Sequence, residues 1–225
     1  MKRIMVYGDA NCWGFSPSED TQGQRYDEKN RWPSIMRSML GMDFEIIEEN
    51  MCGRTTVFND PFNENKNGLK TMDFCLMSHS PLDLIIIMLG TSDLKCFYNA
   101  NPIIITRGLS LICDKILAFG DGQNGKPPKI LVISPVEIEK DIKNSAFGYE
   151  YDNTASKYSK ELKQYYNQLS SEYDIEFLAA SDHVRASDED SIHLTPQGQR
   201  DLAAAVASKV KEIFNLKSDS DDVSV

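Results

Sequence analysis

The sequence predicts an α/β fold in which a parallel sheet is covered by helices on both faces. Short apolar segments of strand length alternate with longer segments of helical periodicity along most of the chain. Residues 84–89 are apolar at every position, as expected for a strand of a parallel sheet that is buried on both faces. Strands that alternate with helices form right-handed β-α-β units, so the strands run parallel.

Each element rests on its own local pattern. Residues 30–40 place apolar side chains at helical spacing, with Pro33 tolerated in the first turn and Gly41 as a stop signal. Residues 68–78 show a weaker helical pattern, and Thr195 is a suitable N-cap for the last helix. We therefore predict strands at 4–8, 44–48, 84–89, 130–134 and 175–179, and helices at 30–40, 68–78, 103–119, 156–173 and 196–214.

Size and composition limit the class of protein. The 225 residues fit one domain, predicted over 1–216, followed by a polar acidic tail at 217–225. The net charge of −10 argues against nucleic-acid and anionic-membrane partners, because both require basic surfaces. No apolar run approaches the roughly 18 residues of a membrane span, and no signal peptide is recognised, so we expect a cytoplasmic protein. Five scattered cysteines without C-x-x-C spacing are expected to be free thiols.

The loops after the predicted strands carry the candidate functional residues. Parallel sheets build their sites at the carboxyl ends of the strands, so these loops should meet at one edge. Small, polar or titratable residues stand there in four separate segments, at 8–10, 49–56, 90–93 and 190–193. An aspartate three residues before a histidine can bind Nδ1 of the imidazole and leave Nε2 free as a general base. Asp190 and His193 have this spacing, directly before the last predicted helix.

The same four segments resemble the sequence blocks of the SGNH (GDSL-type) hydrolases, and within them the small intracellular arylesterases and acyltransferase-like esterases. The first block of that family reads Gly-Asp-Ser, and here it reads Gly8-Asp9-Ala10, followed by Asn11-Cys12-Trp13-Gly14. Gly53, the segment Gly90-Thr91-Ser92-Asp93 and the pair Asp190 and His193 match the other blocks. The likeness extends to about residue 214.

This resemblance implies a three-layer, flavodoxin-like α/β/α fold with a five-stranded parallel sheet. It implies carboxylic-ester hydrolysis on short acyl groups such as acetyl, with acyl transfer as a related outcome, on a small-molecule ester and without metal or organic cofactor. It also implies a serine nucleophile at position 10, His193 as base and Asp190 as its orienting partner. The oxyanion hole would consist of the backbone N–H groups of residue 10 and Gly53, and a side chain at position 92.

The chain departs from the family pattern at two of these positions. Ala10 stands where the family has its serine, and Ser92 stands where it has asparagine. Losing the nucleophile of a serine hydrolase costs on the order of 10⁶ in kcat, whereas losing one oxyanion donor costs about 10²–10³. We therefore expect the Ala10 form to bind esters without turning them over.

Three explanations for Ala10 stay open at the level of sequence. The first is an engineered serine-to-alanine change that traps a ligand. The second is a natural pseudoenzyme that binds an acylated small molecule or sugar, which the second departure at Ser92 favours. The third is a nucleophile relocated to Cys12, since a thiolate near the histidine would be competent.

Further residues have both a functional and a structural interpretation. Trp13, Phe15 and Trp32 could line a substrate pocket or pack in the core. Arg54 could contact the substrate or form a structural ion pair. The segments 16–29 and 137–151 are expected to shape the entrance to the site, and a homo-oligomer is expected from the resemblance. Nucleotide binding is disfavoured because the loop after the first strand lacks a Gly-rich phosphate cradle.

Overall fold

A computed structural model of the protein describes residues 1–122 and 125–216, so the predicted tail at 217–225 lies outside the described residues. Within them, five parallel strands form one sheet in the order β2-β1-β3-β4-β5. The strands are β1 (Lys2–Gly8), β2 (Phe44–Asn50), β3 (Leu84–Met88), β4 (Lys129–Ser134) and β5 (Glu176–Ala179). The helices are α1 (Ala10–Trp13), α2 (Trp32–Leu40), α3 (Gly68–His79), α4 (Pro102–Phe119), α5 (Asn153–Tyr173) and α6 (Pro196–Ile213).

The sheet separates two hydrophobic clusters. Alternate side chains of β3 point to opposite faces, so that Ile85 and Ile87 pack with α3, α4 and α5. Leu84, Ile86 and Met88 pack on the other face with α2 and α6. All five side chains of β3 are fully buried, which confirms the prediction of a strand covered on both faces. The three-layer α/β/α architecture is therefore confirmed.

The strand order reverses next to β1, which lies between β2 and β3. The chain leaves β1 at Gly8 and leaves β3 at Met88, and these two residues are register partners in the sheet. Loops that leave neighbouring strands at such a reversal open a crevice at the carboxyl edge of the sheet. The segments predicted to carry the site follow β1, β2 and β3 and precede α6, and they meet at this edge.

The predicted strands and long helices are all present, with ends that differ by at most a few residues. Thr195 caps α6 as predicted, its side chain accepting a hydrogen bond from the Gly198 N–H at 3.1 Å. Helix α5 begins at Asn153, three residues earlier than predicted, because Asp152 accepts a hydrogen bond from the Thr154 N–H and caps it. The short helix α1 was not predicted, since four residues are too few to show a helical period. None of the helices in the described part of the chain has the length and hydropathy of a membrane-crossing segment.

Candidate active site

Ala10 is the first residue of α1 and follows β1 after a single residue, Asp9. The Asp9 side chain caps this helix by accepting a hydrogen bond from the Asn11 N–H at 3.2 Å. The turn requires a glycine at position 8, because a Cβ there would lie 2.2 Å from Cys12 Sγ. The tight turn therefore places Ala10 at the carboxyl end of β1, on the wall of a cavity.

Gly53 and Ser92, the other two positions predicted for an oxyanion hole, line the same cavity. Gly53 has a φ of 77°, a left-handed conformation that favours glycine. Within the described residues, neither the Ala10 N–H nor the Gly53 N–H donates a hydrogen bond to another protein group. The site thus presents two free backbone donors beside the buried Ser92.

Asp93 joins the loop after β3 to the loop after β2. Its carboxylate accepts a hydrogen bond from the Thr56 N–H at 2.9 Å and a second from the Thr56 hydroxyl. Burial raises the pKa of Asp93 to about 7, against the lowering effect of these hydrogen bonds. Asp93 and Thr56 thus hold the loop that carries Ser92 against the loop that carries Gly53.

Asp190 binds His193 through both of its carboxylate oxygens. Oδ2 lies 2.6 Å from Nδ1 of the imidazole, and Oδ1 accepts from the His193 N–H at 2.8 Å. Burial alone would raise the pKa of Asp190, but the hydrogen bonds and charge of His193 hold that pKa below its ordinary value. Asp190 is therefore an anion that fixes the ring, while Nε2 remains available.

Asp9 is the second buried carboxyl beside the cavity. Burial raises the pKa of Asp9 to about 6, although the Asn11 N–H and the charge of His193 lower it. One oxygen of this carboxyl caps α1 and the other has no hydrogen-bond partner within the described residues.

Two phenylalanines enclose the imidazole of His193. Phe15 stacks on its face, and Phe147 meets it edge-on with ring centroids 5.4 Å apart. Phe147 belongs to the segment 137–151, which contributes four residues to the cavity wall, as expected of it. The segment 16–29 contributes none, and instead supports Phe15 through a backbone bridge to Arg25.

The cavity has a volume of about 240 Å³ and brings together Ala10, Gly53, Ser92 and His193. Asp190 lies behind His193 and is fully buried. The five principal positions predicted from sequence therefore converge on one site. A histidine with a free Nε2, two free backbone N–H donors and a buried hydroxyl are the groups that acyl transfer uses.

Three predicted pocket residues, Arg54, Trp13 and Trp32, do not line this cavity. Trp32 is fully buried in the hydrophobic cluster that contains α2 and α6. Arg54 donates to the Gly8 carbonyl at 3.2 Å and to the Glu49 carbonyl, and its guanidinium lies 4.0 Å from the ring centroid of Tyr7. Arg54 therefore joins the ends of β1 and β2 through backbone carbonyls. Trp13 packs under the guanidinium of Arg25 at 5.3 Å. The geometry thus gives no support to substrate contacts by Arg54 or Trp13.

Cys12 is directed away from the cavity. Its side chain is fully buried in the cluster that contains α2 and α6, with Sγ 4.0 Å from the Met88 carbonyl. Burial raises the pKa of Cys12 well above its ordinary value, so the thiolate is suppressed. The geometry therefore argues against a nucleophile relocated to this thiol.

Sequence reasoning did not single out Cys52, Lys66 or Phe147, all of which line the cavity. Lys66 donates to the Cys52 carbonyl at 2.6 Å, which places its ammonium beside the Gly53 turn. Lys66 lies in a polar loop between β2 and α3, where no periodicity or motif marks it. The only indication for Phe147 was its place in the segment 137–151, which was expected to shape the entrance to the site.

Comparison with known proteins places this site in a family. A family model described as GDSL-like Lipase/Acylhydrolase matches residues 4–206. The aryl esterase of M. smegmatis is 34% identical, with a TM-score of 0.88 over 94% of this chain and 99% of that one. A carbohydrate acetylesterase from Sinorhizobium meliloti is 33% identical, with a TM-score of 0.85 over 95% of this chain and 100% of that one.

A member of the lipolytic G-D-S-L family from Veillonella parvula DSM 2008 shares the fold at 12% identity, with a TM-score of 0.67. The match covers 96% of this chain and 99% of that one. No curated protein sequence matches the chain. The family model spans most of the chain, including the segments after β1, β2 and β3 and before α6. The chain therefore belongs to the GDSL-like lipase and acylhydrolase family, whose members act on ester bonds.

Proposed function

We propose that the chain is the scaffold of a serine ester hydrolase for short acyl groups, in which Ala10 occupies the position of the nucleophile. The observation that carries the proposal is the convergence of Ala10, Gly53, Ser92 and His193 on one cavity, with Asp190 bound to His193. A cavity of about 240 Å³ suits a small acyl group such as acetyl. The relatives named as an aryl esterase and a carbohydrate acetylesterase leave aryl and sugar alcohols as candidates for the other half of the ester.

With a serine at position 10, the reaction would proceed through an acyl-enzyme. Nε2 of His193 would accept the hydroxyl proton while the serine oxygen attacked the ester carbonyl. The backbone N–H groups of residue 10 and Gly53, with the Ser92 hydroxyl, would stabilise the oxyanion. His193 would then pass the proton to the leaving alcohol and activate water for deacylation. A second alcohol taking the place of that water would give acyl transfer.

The Ala10 form has no hydroxyl to acylate, so it should bind esters and release them unchanged. Loss of the nucleophile reduces kcat by about 10⁶ in a serine hydrolase. The fully buried thiol of Cys12 offers no replacement. An engineered change of serine to alanine accounts for Ala10 most simply, because His193 and Asp190 retain a working geometry.

A natural pseudoenzyme that binds an acylated small molecule is the second candidate. The observation that favours it is Ser92, because a serine reaches less far than the asparagine that the family carries at this position. In a chain that no longer catalyses hydrolysis, selection does not maintain the donors of the oxyanion hole, so a change from asparagine to serine at position 92 is tolerated.

Hydrolysis of p-nitrophenyl acetate by this chain and by the Ala10→Ser variant separates the two candidates. We expect activity only in the variant, at least 10³-fold above the unmodified chain. The Ala10→Gly variant is the matched control, since it changes the same position without adding a hydroxyl. Inactivity of a folded Ala10→Ser variant would favour the pseudoenzyme. Activity of the unmodified chain would overturn the serine mechanism.

A further inference from the structure

The side chain of Asn11 joins the nucleophile position to the segment that carries the base. Its Nδ2 donates to the Ile192 carbonyl at 3.2 Å, and its Oδ1 accepts from the Leu194 N–H at 3.0 Å. These two backbone groups belong to the residues immediately before and after His193. Asn11 itself immediately follows Ala10 and is almost completely buried.

A second buried amide, that of Gln199 in α6, holds Asn11 in place. Gln199 Nε2 donates to the Asn11 carbonyl at 3.2 Å, and its Oε1 accepts from the Trp32 N–H at 2.8 Å. The two amides therefore connect α1, α2, α6 and the loop before α6. Buried amides with satisfied donors and acceptors specify one arrangement of the elements that they join.

The backbone of His193 itself is held by other groups. Asp190 accepts from its N–H, and its carbonyl accepts from the Ser187 N–H at 2.8 Å. These contacts all lie within one loop, so they fix the shape of the loop but not its distance from α1. Among the hydrogen bonds of the described residues, only those of Asn11 join the residues flanking position 193 to α1.

We propose that Asn11 is a positioning residue that sets the distance and orientation between residue 10 and the imidazole of His193. The proposal rests on the proposed function, in which a serine at position 10 transfers its proton to Nε2. Asparagine suits the position because it offers one donor and one acceptor on a short side chain. An aspartate would place a second oxygen against the Ile192 carbonyl, and an apolar residue would leave both backbone groups unpaired.

The first test uses the Ala10→Ser variant as background and adds Asn11→Ala. Displacing a reacting group by about 1 Å costs on the order of 100-fold in rate, so we expect kcat to fall about 100-fold. KM should change by less than about threefold, because the polar atoms of the Asn11 side chain are engaged by backbone groups rather than by substrate. Assays are run well below the Tm of each variant.

Asn50→Ala is the matched control. Asn50 Nδ2 donates to the Cys12 carbonyl at 3.3 Å, so it contacts the same short helix but not the segment that carries His193. A similar loss of kcat in both variants would overturn the proposal, because general loosening of α1 would then explain it. If Asn11→Ala does not fold, Gln199→Met removes the support of Asn11 from behind, and an unchanged kcat in that variant would also contradict the proposal.

The second test needs no activity and uses the unmodified chain. Crystal structures of the unmodified chain, Asn11→Ala and Asn50→Ala measure the distance between Ala10 Cβ and His193 Nε2. We expect this distance to be retained in Asn50→Ala and to change by about 1 Å in Asn11→Ala, while the bond between Asp190 and His193 within the loop is kept. An unchanged distance in Asn11→Ala would contradict the positioning role. This result is independent of whether Ala10→Ser restores hydrolysis, so failure of the proposed function is recognised separately.

Discussion

The ring of Phe15 lies against the imidazole of His193, with centroids 4.1 Å apart and an interplanar angle of 24°. Phe147 closes a second side of the imidazole, and the two phenylalanine rings also contact each other with centroids 5.9 Å apart. Asp190 occupies the Nδ1 edge of the imidazole. The ring is thereby confined on its face and on two edges, which leaves the Nε2 edge for proton transfer.

This stacking should stabilise the imidazolium that forms when His193 accepts the proton of a serine at position 10. A cation against an aromatic face gains about 0.5–2 kcal/mol, more when water is excluded. In the Ala10→Ser background we expect Phe15→Leu to lower kcat about tenfold for p-nitrophenyl acetate. Phe15→Tyr keeps the aromatic face and should remain within about twofold of the parent. Equal rates for the leucine and tyrosine variants would show that the stacking makes no contribution.

Among the residues that support His193, we expect substitution of Asp190 to lower kcat the most, because Asp190 binds Nδ1 of the imidazole directly. In the Ala10→Ser background, Asp190→Asn should lower kcat by about 10⁴, because an amide donates to Nδ1 and selects the wrong tautomer. The control is Asp182→Asn, which removes a carboxylate beside His183 from an exposed ion pair with Lys163. Single-turnover rates for the acyl-enzyme measure both. A loss in Asp190→Asn no larger than in the control would exclude Asp190 as the partner of the base.

The fold followed from sequence because its elements are long and strongly patterned. The continuous apolar run of β3 and the helical spacing of α4 leave few alternatives, and the parallel sheet follows from their alternation. The four residues of α1 escaped prediction because a single turn has no period. The Asp9 cap and the close approach of Gly8 to Cys12 form that turn. Both are contacts between individual atoms, which a hydrophobic pattern does not record.

The candidate site was predictable where a local motif carries it. The spacing of Asp190 and His193 indicated their hydrogen bond, which the geometry contains. Lys66 and Phe147 reach the cavity from separate loops with no motif, so only the folded chain reveals them. For Arg54 the sequence was misleading. A charged residue beside the Gly53 turn suggested a substrate contact, but its guanidinium donates hydrogen bonds to the carbonyls of Gly8 and Glu49.

Asp93 should make the stability of the chain fall between pH 4 and pH 7. Its folded pKa of about 7 lies above the ordinary value of 3.8, so in this range the folded state keeps a proton that the unfolded state has lost. The free energy of unfolding therefore decreases as the pH rises through the window, by at most about 1.4 kcal/mol per pH unit from this group.

Asp93→Asn should remove that part of the slope, since the asparagine oxygen can still accept from the Thr56 N–H. Urea unfolding at pH 4.5, 5.5 and 7 measures it, and Asp20→Asn corrects for the change in net charge at an exposed position. Parallel pH profiles for the unmodified chain and Asp93→Asn would contradict this expectation.

Restoring the asparagine of the family at position 92 should increase the rate of ester hydrolysis. In the Ala10→Ser background, Ser92→Asn should extend a donor into the cavity beside the Gly53 N–H and raise kcat by up to about 10². The gain should appear in kcat more than in KM, because the donor meets charge that develops only in the transition state. Ser92→Ala is the matched control, and a further loss of kcat in that variant would show that the Ser92 hydroxyl already donates. If Ser92→Asn and Ser92→Ala both leave kcat unchanged while Ala10→Ser is active, the oxyanion is held by the two backbone N–H groups alone. A side chain at position 92 then has no part in the oxyanion hole.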